Sequence, residues 1–196
     1  MRRKTEATRR KIVEAAYECF WRSGFTRTNV DRIAAQAGVT KRTLYSYYRS
    51  KDDLLAVVLA HYSELATERL QRISNRMPTD INGMIDSFFS QLAGWASATP
   101  RWTGSGFTRL VVELADLPGH PARSIARRAK STTEDWLANL FAKKRVLRPR
   151  SRAREIMLLM EGAMALVLIH GDRAYIDTAA QAAKYLIKRR NRKISD

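Results

Sequence analysis

The fold is decided by residues 34–54, which read AAQAGVTKRTLYSYYRSKDDL. Apolar residues recur at helical spacing up to Gly38 and again after Thr40, so this stretch predicts two short helices separated by a tight turn. An amphipathic segment from Thr5 to Ser23 predicts a helix in front of them that stops at Gly24. Three helices in this order indicate a helix-turn-helix unit, whose last helix lies in the major groove of DNA.

The helix that begins at Thr40 has two different faces. Leu44 and Tyr48 lie four residues apart, so they share one face and pack inward. The opposite face offers a guanidinium, two hydroxyls and, at its flanks, two phenols, which suit base edges and phosphates. Its members are Arg42, Thr43, Tyr45, Ser46 and Tyr47. For the two tyrosines, packing against the first helix is the alternative.

Arg42 is the best candidate for reading a base, because a guanidinium can bond guanine through O6 and N7 at once. The alternative is a solvated arginine close to a phosphate. Lys41 points sideways at the start of the helix, so we expect it to contact a phosphate. The basic residues 2–4 are either an arm along the DNA backbone or a solubilising tail.

Two capping patterns delimit the neighbouring helices. The sequence Thr28-Asn29-Val30-Asp31 has the spacing of a capping box and predicts a helix capped by Thr28. The sequence Ser50-Lys51-Asp52-Asp53 has a similar pattern and predicts the start of a long helix, which Met77-Pro78 ends.

Beyond residue 78 the sequence predicts only helices. Their expected spans are 80–98, 104–114, 121–142, 151–169 and 175–188, each bounded by Pro, Gly or Asp. No alternating strand pattern appears, so the predicted fold class is all-α with about nine helices. We expect a helix-turn-helix DNA-binding domain at 1–51 and a larger helical domain for effector binding and dimerisation at 52–196.

The composition indicates a globular and strongly basic chain. Its 196 residues carry a formal net charge of +17, which predicts a polyanionic partner, with nucleic acid as the first candidate. Cys19 is the single cysteine, which excludes a disulfide scaffold and a cysteine-rich zinc finger and fits a reducing cytoplasm. The start of the chain has no secretory signal, and the longest apolar run, Ala163 to Ile169, is too short to span a membrane.

Basic charge collects in separate blocks. Residues 1–51 carry thirteen basic and four acidic side chains, and residues 123–154 carry eleven basic and two acidic ones. The first block coincides with the helix-turn-helix. The second leaves four interpretations open: a solvated surface, an acidic protein partner, an anionic effector or a supplementary DNA contact.

The sequence contains no catalytic arrangement. Its three histidines, His61, His120 and His170, stand apart without metal-ligand spacing. There is no glycine-rich phosphate loop and no nucleophile motif. We therefore expect neither an enzyme nor a metal or cofactor site.

Residues 34–54, together with Gly24-Phe25 at the end of the first helix, resemble the DNA-binding signature of the TetR family of bacterial transcriptional regulators. The similarity runs from about Thr8 to Leu55. It implies that DNA is touched by Thr28, Lys41, Arg42, Tyr45, Ser46, Tyr47 and Lys51, with Tyr47 and Lys51 on phosphates. Tyr47 stands where histidine is frequent in the family, and it keeps a hydrogen-bonding aromatic side chain.

The resemblance also implies a homodimer that pairs through its last two helices, here near 151–169 and 175–188, and a small-molecule pocket in the body. Wide aromatic and methionine side chains are typical of pocket walls, and two glutamates are set among apolar neighbours. The candidate pocket residues are Phe88, Trp95, Trp102, Phe107, Glu113, Trp136, Met160, Glu161 and Met164. The alternatives are a filled core for the apolar members and solvent exposure for the two glutamates.

Three functional hypotheses follow. The first is a cytoplasmic, dimeric repressor that binds a near-palindromic double-stranded DNA operator and is released by an unidentified small molecule. The second is a DNA-bound adaptor that recruits an acidic protein and has no small-molecule effector. The third is sequence-independent DNA packaging by charge, which predicts steep salt dependence and little sequence preference.

Overall fold

The structure is a computed structural model that describes residues 2–74, 78–98 and 106–188. Within these ranges the chain forms nine helices and no strand, which confirms the all-α prediction. The helices are α1 (Arg2–Ser23), α2 (Val30–Ala37), α3 (Lys41–Tyr47), α4 (Lys51–Ser74), α5 (Ile81–Ala98), α6 (Gly106–Val112), α7 (Pro121–Lys143), α8 (Pro149–His170) and α9 (Ala174–Lys188).

Glycines end α1 and α2 in the left-handed conformation, which other residues adopt only at a cost. The φ angle is 82° at Gly24 and 66° at Gly38. After α2, the Gly38 N–H donates to the Ala35 carbonyl at 3.1 Å and the Val39 N–H donates to the Ala34 carbonyl at 3.0 Å. The predicted helix stops are therefore confirmed.

The N-cap of α2 is Asn29, so the predicted cap at Thr28 is wrong by one residue. The Asn29 Oδ1 atom accepts a hydrogen bond from the Arg32 N–H at 2.8 Å. The Thr28 hydroxyl instead donates to carbonyl oxygens of the preceding segment, at 2.6 Å from Gly24 and 3.1 Å from Cys19. These two bonds hold the turn after α1 against the end of that helix.

The capping groups of α3 and α4 agree with the sequence. The Thr40 hydroxyl accepts the Thr43 N–H at 3.0 Å, so α3 begins directly after the turn. The Ser50 hydroxyl accepts the Asp53 N–H at 3.0 Å, and the Asp53 carboxylate accepts the Arg49 N–H at 3.2 Å. Reciprocal bonds of this kind fix the start of α4.

The described residues pack into two units, of which the first comprises residues up to 66 together with 106–129. Its core joins α1, α2, α3 and the start of α4 through Phe20, Ile33, Leu44 and Leu55. Leu110 of α6 and the following Leu114 are buried in the same core. Packing thus extends this unit past residue 51, because two distant leucines complete its apolar interior. The functional boundary after residue 51 stays a prediction.

The second unit comprises residues 67–74, 78–98 and 130–188 of the described chain. In it α9 packs along both α8 and α5, and Phe89, Phe141 and Ile156 are among its buried side chains. Gly171, with φ 70°, ends α8 and lets the chain turn back into α9. None of the described helices is both long enough and apolar enough to cross a membrane.

Candidate functional site

The two faces predicted for α3 are present. Leu44 is completely buried and Tyr48, which follows the helix, is 2% exposed, so both anchor α3 on the core of the first unit. Arg42 and Ser46 are exposed, and Tyr45 is 44% exposed. Tyr47 is half-buried and packs against the core cluster. The helix therefore presents one polar face to its surroundings, flanked by one exposed and one partly packed phenol.

Arg42 and Lys41 differ in what they bond. Within the described residues no carboxylate or carbonyl pairs with the Arg42 guanidinium, so all its donors face outward. The Lys41 ammonium lies 3.0 Å from the Asp31 carboxylate on α2, and this hydrogen bond raises the pKa of Lys41. Both partners are more than half exposed, so the pair adds little stability. Arg42 is thus the freer of the two cations.

The hydroxyls on the exposed face of α3 bond within the helix. The Ser46 hydroxyl donates to the Thr43 carbonyl at 2.6 Å, and the Thr43 hydroxyl lies 2.8 Å from that of Thr40. Each oxygen retains acceptor capacity after these bonds. In this arrangement Ser46 can accept from a base edge without losing its helix contact.

Thr28 and Lys51 stabilise the turn between α1 and α2. The Thr28 side chain is 1% exposed, so it lies in the core and away from the exposed face of α3. The Lys51 ammonium donates to the carbonyls of Phe25 at 3.0 Å and Thr28 at 3.1 Å, and it lies 4.3 Å from the centre of the Phe25 ring. One of its three donors remains for an external acceptor.

Glu113, predicted to line a pocket, instead bonds this same turn. Its carboxylate accepts the Thr26 N–H at 2.9 Å. A Cβ atom added at Gly24 would lie 2.5 Å from the Glu113 Oε1 atom, so a side chain there would displace this carboxylate in addition to straining φ. One helical turn earlier, the Arg109 guanidinium donates to the Trp21 carbonyl at 2.9 Å. These contacts span nearly ninety positions, and no local pattern in the sequence signals them.

A cavity of about 670 Å³ lies in the second unit. Three predicted pocket residues, Phe88, Trp95 and Met160, come together in its lining. Sequence analysis did not single out the other members, which are Ile73, Ser90, Gln91, Leu92 and Gly94. Four of them lie between Phe88 and Trp95 on α5, whereas Ile73 comes from α4.

The remaining predicted pocket residues are dispersed. Trp136 lies against Phe88, with ring centres 6.3 Å apart, and its Nε1–H donates to the Ser74 hydroxyl at 2.7 Å. Met164 is buried, and Glu161 forms an ion pair with Lys130. Trp102 and the side chain of Phe107 lie outside the described residues.

An apolar face on α8 has no cover in the single chain. Leu158 and Ile169 are each 70% exposed, and Leu166 between them is also exposed. At helical spacing these three lie on one face with the small residues Gly162 and Ala165. On α9, Tyr185 is exposed as well.

Ion pairs neutralise part of the basic block at 123–154. Arg150 lies 2.5 Å from Asp135, and Arg154 lies 2.9 Å from Glu134. Arg152 bonds Glu155 at 2.5 Å, and Lys130 is held by Glu161. Much of the charge counted on α8 is thus already paired within the chain.

The family model described as bacterial regulatory proteins, tetR family, matches residues 12–58. A curated HTH-type transcriptional repressor of Streptomyces coelicolor is 30% identical over 131 residues, which cover 63% of this chain and 64% of that protein. The fatty acid metabolism regulator protein of Bacillus subtilis is 32% identical over 94 residues, which cover 43% of this chain and 45% of that protein. The match therefore spans less than two thirds of each of these relatives.

Solved structures share the fold over nearly the whole chain. A TetR-family transcriptional regulator from Streptomyces coelicolor has a TM-score of 0.83 at 21% identity, covering 94% of this chain and 96% of that one. The reduced form of NemR from Escherichia coli has a TM-score of 0.83 at 19% identity, covering 91% of this chain and 95% of that one. The helix-turn-helix from α1 to α4 thus matches the TetR family of bacterial regulatory proteins, and nearly the whole chain shares the fold of these solved structures.

Proposed function

We propose that this chain is a DNA-binding transcriptional repressor whose α3 helix reads a specific sequence in the major groove. The observation that carries the proposal is the exposed polar face of α3, with the Arg42 guanidinium unpaired among the described residues while Leu44 and Tyr48 anchor the helix. A guanidinium held on a rigid helix can bond guanine in a bidentate manner. The Streptomyces coelicolor relative, itself a transcriptional repressor, supports the direction of regulation.

In this proposal the repressor is a homodimer that pairs through α8 and α9. The support is the apolar face of Leu158, Leu166 and Ile169, which the single chain leaves exposed. A twofold axis would bury this face against its own copy. It would also present two α3 helices to half-sites about one helical turn of DNA apart, or a multiple of it, which implies a near-palindromic operator.

The cavity of the second unit is the proposed effector site. Its volume of about 670 Å³ suits a small organic molecule, and its lining carries aromatic, aliphatic and uncharged polar side chains. Glu113 and Glu161 are engaged elsewhere by Thr26 and Lys130. We therefore expect an apolar, flat and uncharged effector that Phe88 and Trp95 contact and that Gln91 orients. The cavity supports a ligand-responsive repressor over an adaptor without an effector.

The test combines selection and footprinting. DNA fragments bound by the full chain are selected from a random pool, and the enriched site is footprinted. A protected near-palindrome supports the proposal, whereas uniform binding that depends steeply on salt favours DNA packaging by charge. Release of the site by one uncharged aromatic compound from a library, abolished by Gln91→Ala and Trp95→Ala, supports the effector site. If the site is bound specifically but no compound releases it, the adaptor hypothesis is favoured.

A further inference from the structure

A second cavity, of about 630 Å³, lies within the first packed unit. The first half of α1 forms one side, α4 forms the other, and Tyr48 at the end of α3 forms part of the lining. The residues that line it are Glu6, Ala7, Arg9, Arg10, Val13, Tyr48, Val57 and His61. Its size is within the range that binds small molecules, and neither the exposed face of α3 nor the proposed effector site uses it.

The Tyr48 hydroxyl in this cavity has no acceptor for its proton, because the neighbouring Arg9 guanidinium can only donate. Tyr48 is 2% exposed, and its hydroxyl oxygen is buried. Buried hydroxyls are nearly always bonded, so an unbonded one that lines a cavity indicates a missing acceptor or donor. Burial raises the pKa of Tyr48, although the neighbouring Arg9 opposes the effect, so the phenol keeps its proton at neutral pH. The hydroxyl is therefore a donor without an acceptor.

Positive charge surrounds this hydroxyl. Arg9 is exposed, and no described carboxylate forms an ion pair with it. The Arg10 Nε atom lies 3.5 Å from Glu14, and both side chains are largely exposed, so that pair is weak. Glu6 is the one carboxylate in the lining, and His61 completes the rim. Hydrogen-bond donors thus outnumber acceptors in the cavity.

The floor of the same cavity is apolar. Val13 is buried and Val57 is half-buried, and both belong to the interior side of their helices. A ligand that matches this lining carries a negative head group beside an apolar body. A planar carboxylate suits a guanidinium and a phenol best, because it can accept from both at once.

We propose that this cavity binds a small anionic amphiphile, whose carboxylate or phosphate accepts hydrogen bonds from Tyr48 and Arg9 and whose apolar part lies on Val13 and Val57. The ligand supplies the acceptor that the buried hydroxyl lacks. This site is separate from the proposed effector cavity, since all its lining residues belong to the first packed unit.

The experiment is a calorimetric titration of the full chain with octanoate, octyl phosphate and 1-octanol. We expect an anionic probe to bind at least tenfold more tightly than 1-octanol, and the stronger of the two anions identifies the head group. Tyr48→Phe, which removes only the hydroxyl, and Arg9→Gln should each weaken binding about tenfold. Arg27→Gln removes an exposed arginine outside the cavity and should leave affinity unchanged. Absent binding, equal binding of 1-octanol, or a Tyr48→Phe variant that binds like the wild type overturns the proposal.

Thermal unfolding gives a second readout that does not depend on tight binding. Without ligand, Tyr48→Phe should unfold at a higher temperature than the wild type, because it removes a buried hydroxyl that lacks a partner. Octanoate should raise the melting temperature of the wild type more than that of the variant. A variant that is less stable than the wild type without ligand contradicts the proposal, because the hydroxyl would then already have a partner.

Discussion

The backbone N–H of Thr26 donates to the carboxylate of Glu113 at 2.9 Å, across 87 positions of the sequence. Thr26 lies in the turn between α1 and α2, and Glu113 directly follows α6. The bond therefore connects the turn before α2 to the segment that follows α6. On either side of Glu113, Leu110 and Leu114 are buried in the core of the same unit.

Removing this carboxylate should destabilise the first unit. Glu113→Ala leaves the Thr26 N–H to water, and the bond is partly exposed, so we expect a loss of about 1 kcal/mol in the free energy of unfolding. Urea denaturation measures it. Glu64→Ala, on the exposed side of α4, is the control and should change stability by less than about 0.5 kcal/mol. Equal effects of the two substitutions would show that the bond contributes nothing.

Gly24→Ala and Gly38→Ala form a matched pair. Both place a Cβ atom on a left-handed backbone, which costs about 1–2 kcal/mol. Only at Gly24 does the new atom meet Glu113, whereas nothing lies within 4 Å at Gly38. Gly24→Ala should therefore be the more destabilising by urea denaturation. In a Glu113→Ala background, Gly24→Ala and Gly38→Ala should lower stability by the same amount. If Gly24→Ala remains the more destabilising there, another contact causes the difference.

Arg42→Ala should reduce sequence selectivity. If the guanidinium bonds a guanine, its loss costs about 1–3 kcal/mol on the selected site and much less on random DNA. Fluorescence anisotropy at fixed salt measures the affinity for each DNA, and the ratio of the two affinities gives the selectivity. Lys41→Ala is the matched control, because its ammonium is paired with Asp31 and should act on both DNAs alike. A parallel loss on both DNAs for Arg42→Ala would mean that it contacts phosphate only.

Ile169→Glu should dissociate the proposed dimer. The substitution places a charge on the apolar face of α8, where burial against a second copy becomes costly. Sedimentation velocity should then detect a monomer. Leu147→Glu changes another exposed leucine, in the turn between α7 and α8, and should leave the dimer intact. If Ile169→Glu remains a dimer, the dimer interface does not include this face.

Stability should decline at alkaline pH through Tyr62. Its ring stacks on that of Tyr17, and burial raises the pKa of Tyr62 to about 12 from an unperturbed value of 10.0. Because the folded pKa exceeds the unfolded one, the stabilisation is complete below pH 10 and is lost as pH rises towards 12. Between pH 10 and 12, the free energy of unfolding of Tyr62→Phe should therefore fall by about 1 kcal/mol less than that of the wild type, with solvent screening taken into account. Urea denaturation at pH 9 to 12 compares the variant with the wild type, and identical pH profiles would contradict the assignment.

Local patterns in the sequence predict the helix-turn-helix well. Gly24 and Gly38 end helices because glycine readily adopts a positive φ, which is a property of the residue itself. Leu44 and Tyr48 are buried because helical spacing puts them on one face. Thr28 was assigned wrongly as the cap. The spacing of a capping box does not reveal that the Cys19 and Gly24 carbonyls accept from the same hydroxyl.

Contacts between distant segments are less predictable. Phe88, Trp95 and Met160, on α5 and α8, line one cavity, and their role in ligand binding stays a prediction. The apolar neighbours of Glu113 in sequence predict a place in the same cavity, but its carboxylate binds a backbone N–H, which carries no sequence signal. The phosphate contact of Lys51 stays a prediction, whereas its two carbonyl bonds depend on a turn that closes only in the folded chain.

The ion pairs of α7 and α8 bear on how this chain would respond to salt when it binds DNA. An arginine that already holds a carboxylate, as Arg150 holds Asp135 and Arg154 holds Glu134, displaces no condensed counterion from the duplex. The slope of affinity against salt should then reflect the phosphates that cations of the helix-turn-helix neutralise. A net charge of +17 would thus greatly overstate the number of counterions released.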